Sequence, residues 1–387
     1  MSKKIFIVSG GTGGHIIPAR CLAEELSLRG NFVVFLGDNK IKSYIKNNDN
    51  FKSQVIQGSQ LKKSLTYLFK ASLKISFGIL QSIYLIAKHR PDKIIAFGGY
   101  ASFPVLVAGV LTKKDIFIHE QNAHLGKVNR LFAKYAKKIA TSFPTTTGID
   151  QKYLHKVILT GNPVRKEILS LNNFSYNLLT VNEKVIDDSK PKLNYDATLS
   201  SEFFEVVKKE EQIKILILGG SGGAKIFSEI LPKAFFNLSE ELKHKIHIIA
   251  QCRQELVENT FQLYKSLNLN AEVKSFYENI ADILKDCNLV IARSGSSSLA
   301  EFCVAKRPMI LVPFALSADN HQLKNANYIQ ENGGAIVIKE NDFTIDNVYN
   351  LLNQILTSKD ILRKMSDNCS KLAIVNATLN LANLIDN

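Results

Sequence analysis

Short apolar runs, each closing on glycine or small polar residues, recur along this chain and predict strands that feed loops. Lys4 to Ser9, KIFIVS, is compact and β-branched, which reads as a parallel strand buried on both faces. It breaks at Gly10-Gly11-Thr12-Gly13-Gly14-His15, and a helix is predicted from about Pro18, an acceptable first-turn residue. NFVVFLG (Asn31 to Gly37) is a second strand. Strand, glycine turn, helix, strand is the opening of a doubly wound α/β domain. The turn departs from the dinucleotide pattern GxGxxG, because Ile16 stands at the third glycine. Asp38 could mimic the ribose-binding acid of that pattern, but it follows Gly37 and is read as a loop residue. Residues 93–109 carry a strand that breaks at Gly98-Gly99-Tyr100. Residues 115–126 carry another, ending in His119-Glu120-Gln121-Asn122, where the ligand crevice of an open sheet lies. Short strands at 139–142 and 157–160 precede Gly161-Asn162-Pro163-Val164-Arg165, where the domain junction is placed.

Residues 172–212 are polar and lack glycine, which predicts an insertion before the next core strand. IKILIL (Ile213 to Leu218) then restarts the pattern, running into Gly219-Gly220-Ser221-Gly222-Gly223-Ala224. Further strands are expected at 247–252, 272–276, 289–292, 309–314 and 335–339, and helical spacing continues to the end. The stretch Ile291 to Glu301, IARSGSSSLAE, reads as a strand that turns through serines into a helix beginning at Leu299. A helix start offers unpaired N–H groups and a positive dipole end, which suit phosphate. Glu301, read in the first turn, would repel phosphate, so it is assigned to sugar hydroxyls beside it. The alternative is an ordinary capped helix. Residues 61–87 place Leu65, Leu68, Phe69, Leu73 and Phe77 at helical spacing among Lys62, Lys63, Lys70 and Lys74. Such a segment either lies on an anionic membrane surface or packs on the sheet with its lysines outward.

Composition narrows the picture further. A length of 387 residues favours two domains, and 45% hydrophobic with 22% charged residues fits a globular chain. The net charge of +14 invites an anionic partner: nucleic acid, acidic lipid or a phosphorylated substrate. No RRM or KH signature supports the first. Five scattered cysteines without CxxC fit a reducing compartment and argue against a zinc site. MSKKIFIVSGG enters a strand at once, so no signal peptide is expected, and the apolar run Ile75 to Ala87 is too short to span a bilayer.

Two such halves facing across a cleft resemble the GT-B glycosyltransferase architecture. GGTGGHIIPA, FGGYASFP, HEQNAHLGKVN, GNPVR, GGSGGA, RSGSSSLAE and PFALSADNHQ occur in the order seen in the MurG family, over nearly the whole chain. That resemblance implies an α/β fold of two Rossmann-like parallel-sheet domains. Residues 1–164 would face acceptor and membrane, residues 165–366 would hold the UDP-sugar, and a terminal helix at about 367–387 would pack back on the first domain. It implies an inverting enzyme that moves N-acetylglucosamine from UDP-N-acetylglucosamine to lipid I, giving lipid II for peptidoglycan, at the cytoplasmic face of the bacterial inner membrane. Other cell-wall synthesis proteins would be possible partners, nucleic acid would not, and no cofactor is expected.

The same resemblance assigns the donor diphosphate to Ser221 and to the helix start at Ser296, Ser297 and Ser298, with Leu299 and Ala300 following. Glu301 would take ribose and backbone near Tyr277 the uracil. Gln322, Asn122, Thr12, Gly13 and Gly14 would position the sugar, and Arg165 would offer positive charge to the diphosphate or orient the donor as the cleft closes. His15 is the candidate general base on its ordinary pKa, with Glu120 as competitor; each has a structural alternative, helix capping for one and loop bracing for the other. No DxD sequence suggests a divalent metal. Gly222 replaces a common Gln, and Phe103 stands where Gly is usual and could narrow the acceptor side. Rival readings are a diacylglycerol-directed GT-B transferase, an NAD(P)-dependent oxidoreductase and a nucleic-acid-binding module.

Overall fold

The structure, a computed structural model, describes residues 2–45, 49–58, 65–176, 212–220 and 223–387. Ser221, Gly222, the lysines at 62 and 63 and most of the 172–212 stretch therefore lie outside the described residues. Seven parallel strands form the first sheet: β1 (Lys4–Val8), β2 (Phe32–Gly37), β3 (Lys52–Val55), β4 (Lys93–Ala96), β5 (Asp115–Glu120), β6 (Ala136–Thr141) and β7 (Val157–Leu159). Their order is β3-β2-β1-β4-β5-β6-β7. Six more form the second: β8 (Ile213–Leu218), β9 (Ile246–Gln251), β10 (Ala271–Lys274), β11 (Leu289–Ala292), β12 (Met309–Leu311) and β13 (Ala335–Val337). These run β10-β9-β8-β11-β12-β13.

The continuous apolar runs follow from burial on both faces. On β1, Ile5 and Ile7 enter one core cluster and Phe6 and Val8 the opposite one. β8 divides likewise, with Ile215 and Ile217 on one side and Leu216 on the other. The second half's inner cluster also takes Ala123, Phe143 and Val164 from the first half's end of the chain. The last helix, Ala377–Asp386, buries Leu381, Ala382 and Ile385 among Ile5, Ile7 and Ile16 of the first half.

Several boundaries differ from expectation, and three of them have a local cause. Helix α1 spans Gly13–Leu28, so it starts five residues before Pro18, which sits inside it. Thr12 holds extended backbone as the N-cap, so the helix begins at the glycines and leaves their first N–H groups without helical partners. The helix expected at Leu299 spans Ser296–Val304, with Gly295 as N-cap. Serines fit its first turn because N–H groups there need no intrahelical acceptor. Glu301 is consequently in the second turn, not the first. β12 stops at Leu311, because Pro313 just beyond has no N–H for the ladder. β3 was not anticipated: KSQV is a mostly exposed edge strand with no apolar run to announce it.

Helix α2 (Leu65–His89) runs on the outside of the first sheet. It packs through small and apolar residues, among them Ala71, Gly78, Ser82, Leu85 and Ile86. Ser82 donates to the Gly78 carbonyl at 2.6 Å, and a Cβ on Gly78 would strike the Gln57 carbonyl. The large residues Leu73, Phe77, Leu80 and Tyr84 point outward, and are 57–66% exposed, beside exposed Lys70 and Lys74. Sheet packing therefore does not account for Leu73 or Phe77. No helix among the described residues is long and apolar enough to cross a membrane.

Candidate active site

In each sheet the strand order reverses once, between β1 and β4 and between β8 and β11. Ligands of open α/β sheets bind beyond the strands' carboxyl ends at such a reversal. The loops there are the glycine turn after β1, Gly98-Gly99-Tyr100 after β4, the second glycine turn after β8, and Arg293-Ser294-Gly295 after β11. The first pair interlocks. Gly99, with φ of +80°, lies so close that a Cβ would come within 2.4 Å of the Gly10 carbonyl oxygen. Asp38 is buried and caps a short 3-10 turn, accepting from the backbone N–H groups of Gly11 and Lys40, each at 3.0 Å, and from the Tyr100 hydroxyl.

The two halves touch through polar groups. Pro18 has no N–H to give the Gly14 carbonyl, its i−4 partner, and that carbonyl accepts from Ser297 Oγ at 2.9 Å. Asn325, wholly buried, accepts from Ala123 N–H at 2.8 Å and donates to Asn122 Oδ1 and the Ser294 carbonyl, each at 3.1 Å. Arg130 meets Asp319 at 3.2 Å, and Lys324 Nζ lies 2.9 Å from His124 Nδ1. Asp319 and Asn320 both take left-handed backbone, which these two residue types tolerate best, at the entry to the His321–Glu331 helix.

The ionisable candidates sit differently. His15 is partly buried, and its Nδ1 lies 2.6 Å from Gln121 Oε1. Glu120 is 1% exposed. Its Oε1 accepts from Asn122 N–H and Nδ2, each at 3.1 Å, and its Oε2 from Gly126 N–H at 2.9 Å and Asn129 Nδ2 at 2.8 Å. Four donors use the acceptor capacity of a carboxylate. Glu301 is buried and receives the Arg165 fork on both oxygens, at 2.7 and 2.8 Å. That contact raises the Arg165 pKa against the opposing effect of its burial. His119 is wholly buried, and burial depresses its pKa to about 4.

The glycosyltransferase family 28 N-terminal domain matches residues 5–141, and the family's C-terminal domain matches residues 214–379. A UDP-N-acetylglucosamine--N-acetylmuramyl-(pentapeptide) pyrophosphoryl-undecaprenol N-acetylglucosamine transferase from Rickettsia prowazekii is 34% identical, over 95% of this chain and 94% of its own. The protein of that name from Phenylobacterium zucineum is 30% identical, over 100% of this chain and 98% of its own. The crystal structure of Acinetobacter baumannii MurG superposes with a TM-score of 0.73 at 25% identity, covering 99% of both chains. The chain belongs to the MurG family.

The remaining residues assigned from the MurG family resemblance differ in exposure. Thr12 is exposed and Gly13 and Gly14 are partly exposed at the start of α1. Ser296 and Ser297 are buried, Ser298 and Ala300 partly so, and Leu299 is core. Gln322 accepts from Phe314 N–H at 2.9 Å, and its own carbonyl accepts from Ser294 Oγ at 2.8 Å. Tyr277 is buried, its hydroxyl donating to the Glu272 carbonyl at 3.1 Å, and burial raises its pKa. A polar recess of about 420 Å³ beside Gly220 and Gly223 is lined also by Gln251, Arg253 and Ser275. Phe103 meets Phe132 edge-on at 5.7 Å, a packing contact within the first half. Asn325, His119 and Gln121 were not assigned from the sequence. Asn325 had no local signal, whereas the other two flank Glu120 at a strand end that was already suspect.

Proposed function

We propose that this chain transfers N-acetylglucosamine from UDP-N-acetylglucosamine to the muramyl sugar of undecaprenyl-pyrophosphoryl-N-acetylmuramyl-pentapeptide, with inversion. The observation that carries this is full-length likeness to transferases of that name, joined to facing loop pairs at both sheet reversals. In this reading the second half holds the nucleotide. Amides at the start of the Ser296–Val304 helix, with the Ser221 loop, take the diphosphate. Backbone at Tyr277 takes the uracil. Thr12, Gly13, Gly14, Asn122 and Gln322 set the sugar. Glu301 retains two lone pairs beyond those given to Arg165, and these take ribose hydroxyls; Arg165 supplies positive charge toward the departing diphosphate. No cofactor enters this scheme beyond the donor itself.

His15 acts as the base that removes the acceptor hydroxyl proton, while Glu120 braces the loop that carries Asn122. The four donors on Glu120 support that division of labour. The acceptor's diphosphate lies over the glycine turns of the first half, and α2 sets that half on an anionic membrane surface. Its outward Leu73, Phe77, Leu80 and Tyr84 with Lys70 and Lys74 suit an acyl–headgroup boundary. Such docking is peripheral, at the cytoplasmic face, where donor nucleotide and lipid meet. Incubation with UDP-N-acetylglucosamine and a short-chain lipid I analogue, followed by mass spectrometry, should show the lipid gaining one N-acetylhexosamine. Label entering diacylglycerol and not the analogue would reject the assignment.

A further inference from the structure

Four groups form an unbroken hydrogen-bonded line from the domain junction to His15. His119 Nε2 lies 3.0 Å from the Gly161 carbonyl oxygen. Gln121 Nε2 lies 2.9 Å from His119 Nδ1 and 3.0 Å from the His119 carbonyl oxygen. Gln121 Oε1 lies 2.6 Å from His15 Nδ1. His119 and Gln121 are both wholly buried, so water cannot substitute for any of these partners.

Carbonyl oxygens only accept, and that settles every proton in the line. Gly161 requires a proton on His119 Nε2. The His119 carbonyl requires the amide side of Gln121 to be its NH2, which then donates to His119 Nδ1 as well. His119 Nδ1 must therefore be bare, so this histidine is neutral, in keeping with its depressed pKa. The oxygen of Gln121 is left facing His15 and can only accept, so the proton of neutral His15 resides on Nδ1. His15 Nε2 is then the unprotonated nitrogen, and among the described residues it has no hydrogen-bond partner. This is the minor neutral tautomer of a free histidine side chain in water, so it has to be imposed.

We propose that His119 and Gln121 are positioning residues which hold His15 as its Nδ1–H tautomer and present Nε2 as the proton acceptor for the incoming sugar hydroxyl. The proposal deepens the reading of His15 as base and rests on it for its catalytic meaning. Its anchor, Gly161, is fixed by the chain's two passages between the halves: φ there is +83°, and a Cβ would fall within 2.8 Å of Ile374 and Ala377. The tautomer is thus referenced to the junction rather than to the loop that carries His15.

Nitrogen-15 NMR of histidine-labelled wild-type enzyme, with His15 assigned against the His15→Gln spectrum, reads the tautomer directly. Above the imidazolium titration, a pyrrole-type Nδ1 and a pyridine-type Nε2 are expected; the reverse pattern overturns the proposal. In turnover assays, Gln121→Leu should lower kcat about 10²-fold, the low end for a positioned general base, with KM for UDP-N-acetylglucosamine within about twofold. Gln121→Glu keeps an acceptor toward His15 and, protonated, a donor toward His119, so it should recover most of kcat. Unchanged kcat in Gln121→Leu, or equal loss in both variants, would overturn the positioning role. Near wild-type turnover in His15→Ala would instead remove His15 as base, while the NMR result would still decide the tautomer.

Discussion

Glu120 and Glu301 are both buried carboxylates, and their surroundings differ. Glu120 is satisfied by four uncharged donors, all within ten residues of it. Glu301 is satisfied by one guanidinium from the chain's crossing between the halves, 136 residues away. Uncharged donors on a loop and the short helix that follows it are held there by the local chain, so they mark a brace. A single long side chain can move or share its hydrogen bonds, so it marks a site a ligand can contest. A carboxylate at a strand's end or in an early helical turn therefore says little about role until its partners are known.

The largest effect expected from this contrast is on folding. Glu120→Ala strands four donors, each costing about 1–3 kcal/mol where water cannot reach, and should lower the unfolding free energy by about 3 kcal/mol or more in urea titrations. A loss no greater than that of Glu301→Gln would end the distinction. Next is acid sensitivity in the same region. His119 has its folded pKa held below the unfolded value of 6.5, at about 4. The unfolded chain binds the extra proton between these values, so this contribution is complete above pH 6.5 and is lost as pH falls toward 4. The loss is about 3 kcal/mol, visible as a falling thermal midpoint, and should flatten in His119→Phe. Glu301→Gln should cost only about 1 kcal/mol of stability, since Arg165 is partly exposed, yet weaken UDP binding about tenfold by calorimetry. The smallest change to the fold is on α2, which serves as the control. Leu73→Ser with Phe77→Ser should leave unfolding within about 0.5 kcal/mol while reducing sedimentation with anionic vesicles.

The sheet strands were legible because a parallel strand buried on both faces needs a continuous apolar run, as KIFIVS and IKILIL show. β3 escaped because KSQV lies at an edge and carries no such run. Pro18 misplaced the start of α1, since proline is tolerated in a first turn and the glycines before it carry no helical signature. Ser296 to Ser298 hid the first turn of their helix because serine is equally at home in a loop. For α2, periodicity showed two faces but not which one met water; the small residues Gly78 and Ser82 decided that, by letting the helix sit close on its neighbours. Of the site, the glycine turns and the HEQN strand end could be found by their place after strands. The line from Gly161 to His15 and the bridging role of Asn325 could not, because their partners are set by tertiary folding rather than by neighbouring sequence.

The proline within α1 has one more implication. By withholding a rung from the helix it keeps the Gly14 oxygen available for a hydroxyl on the opposite half. A Pro18→Ala chain would mend the rung, making the helix itself sturdier, and would set it competing with Ser297 for that oxygen. The two lobes would then hold each other less firmly, so a gain in local order would come with a looser grip across the mouth of the enzyme.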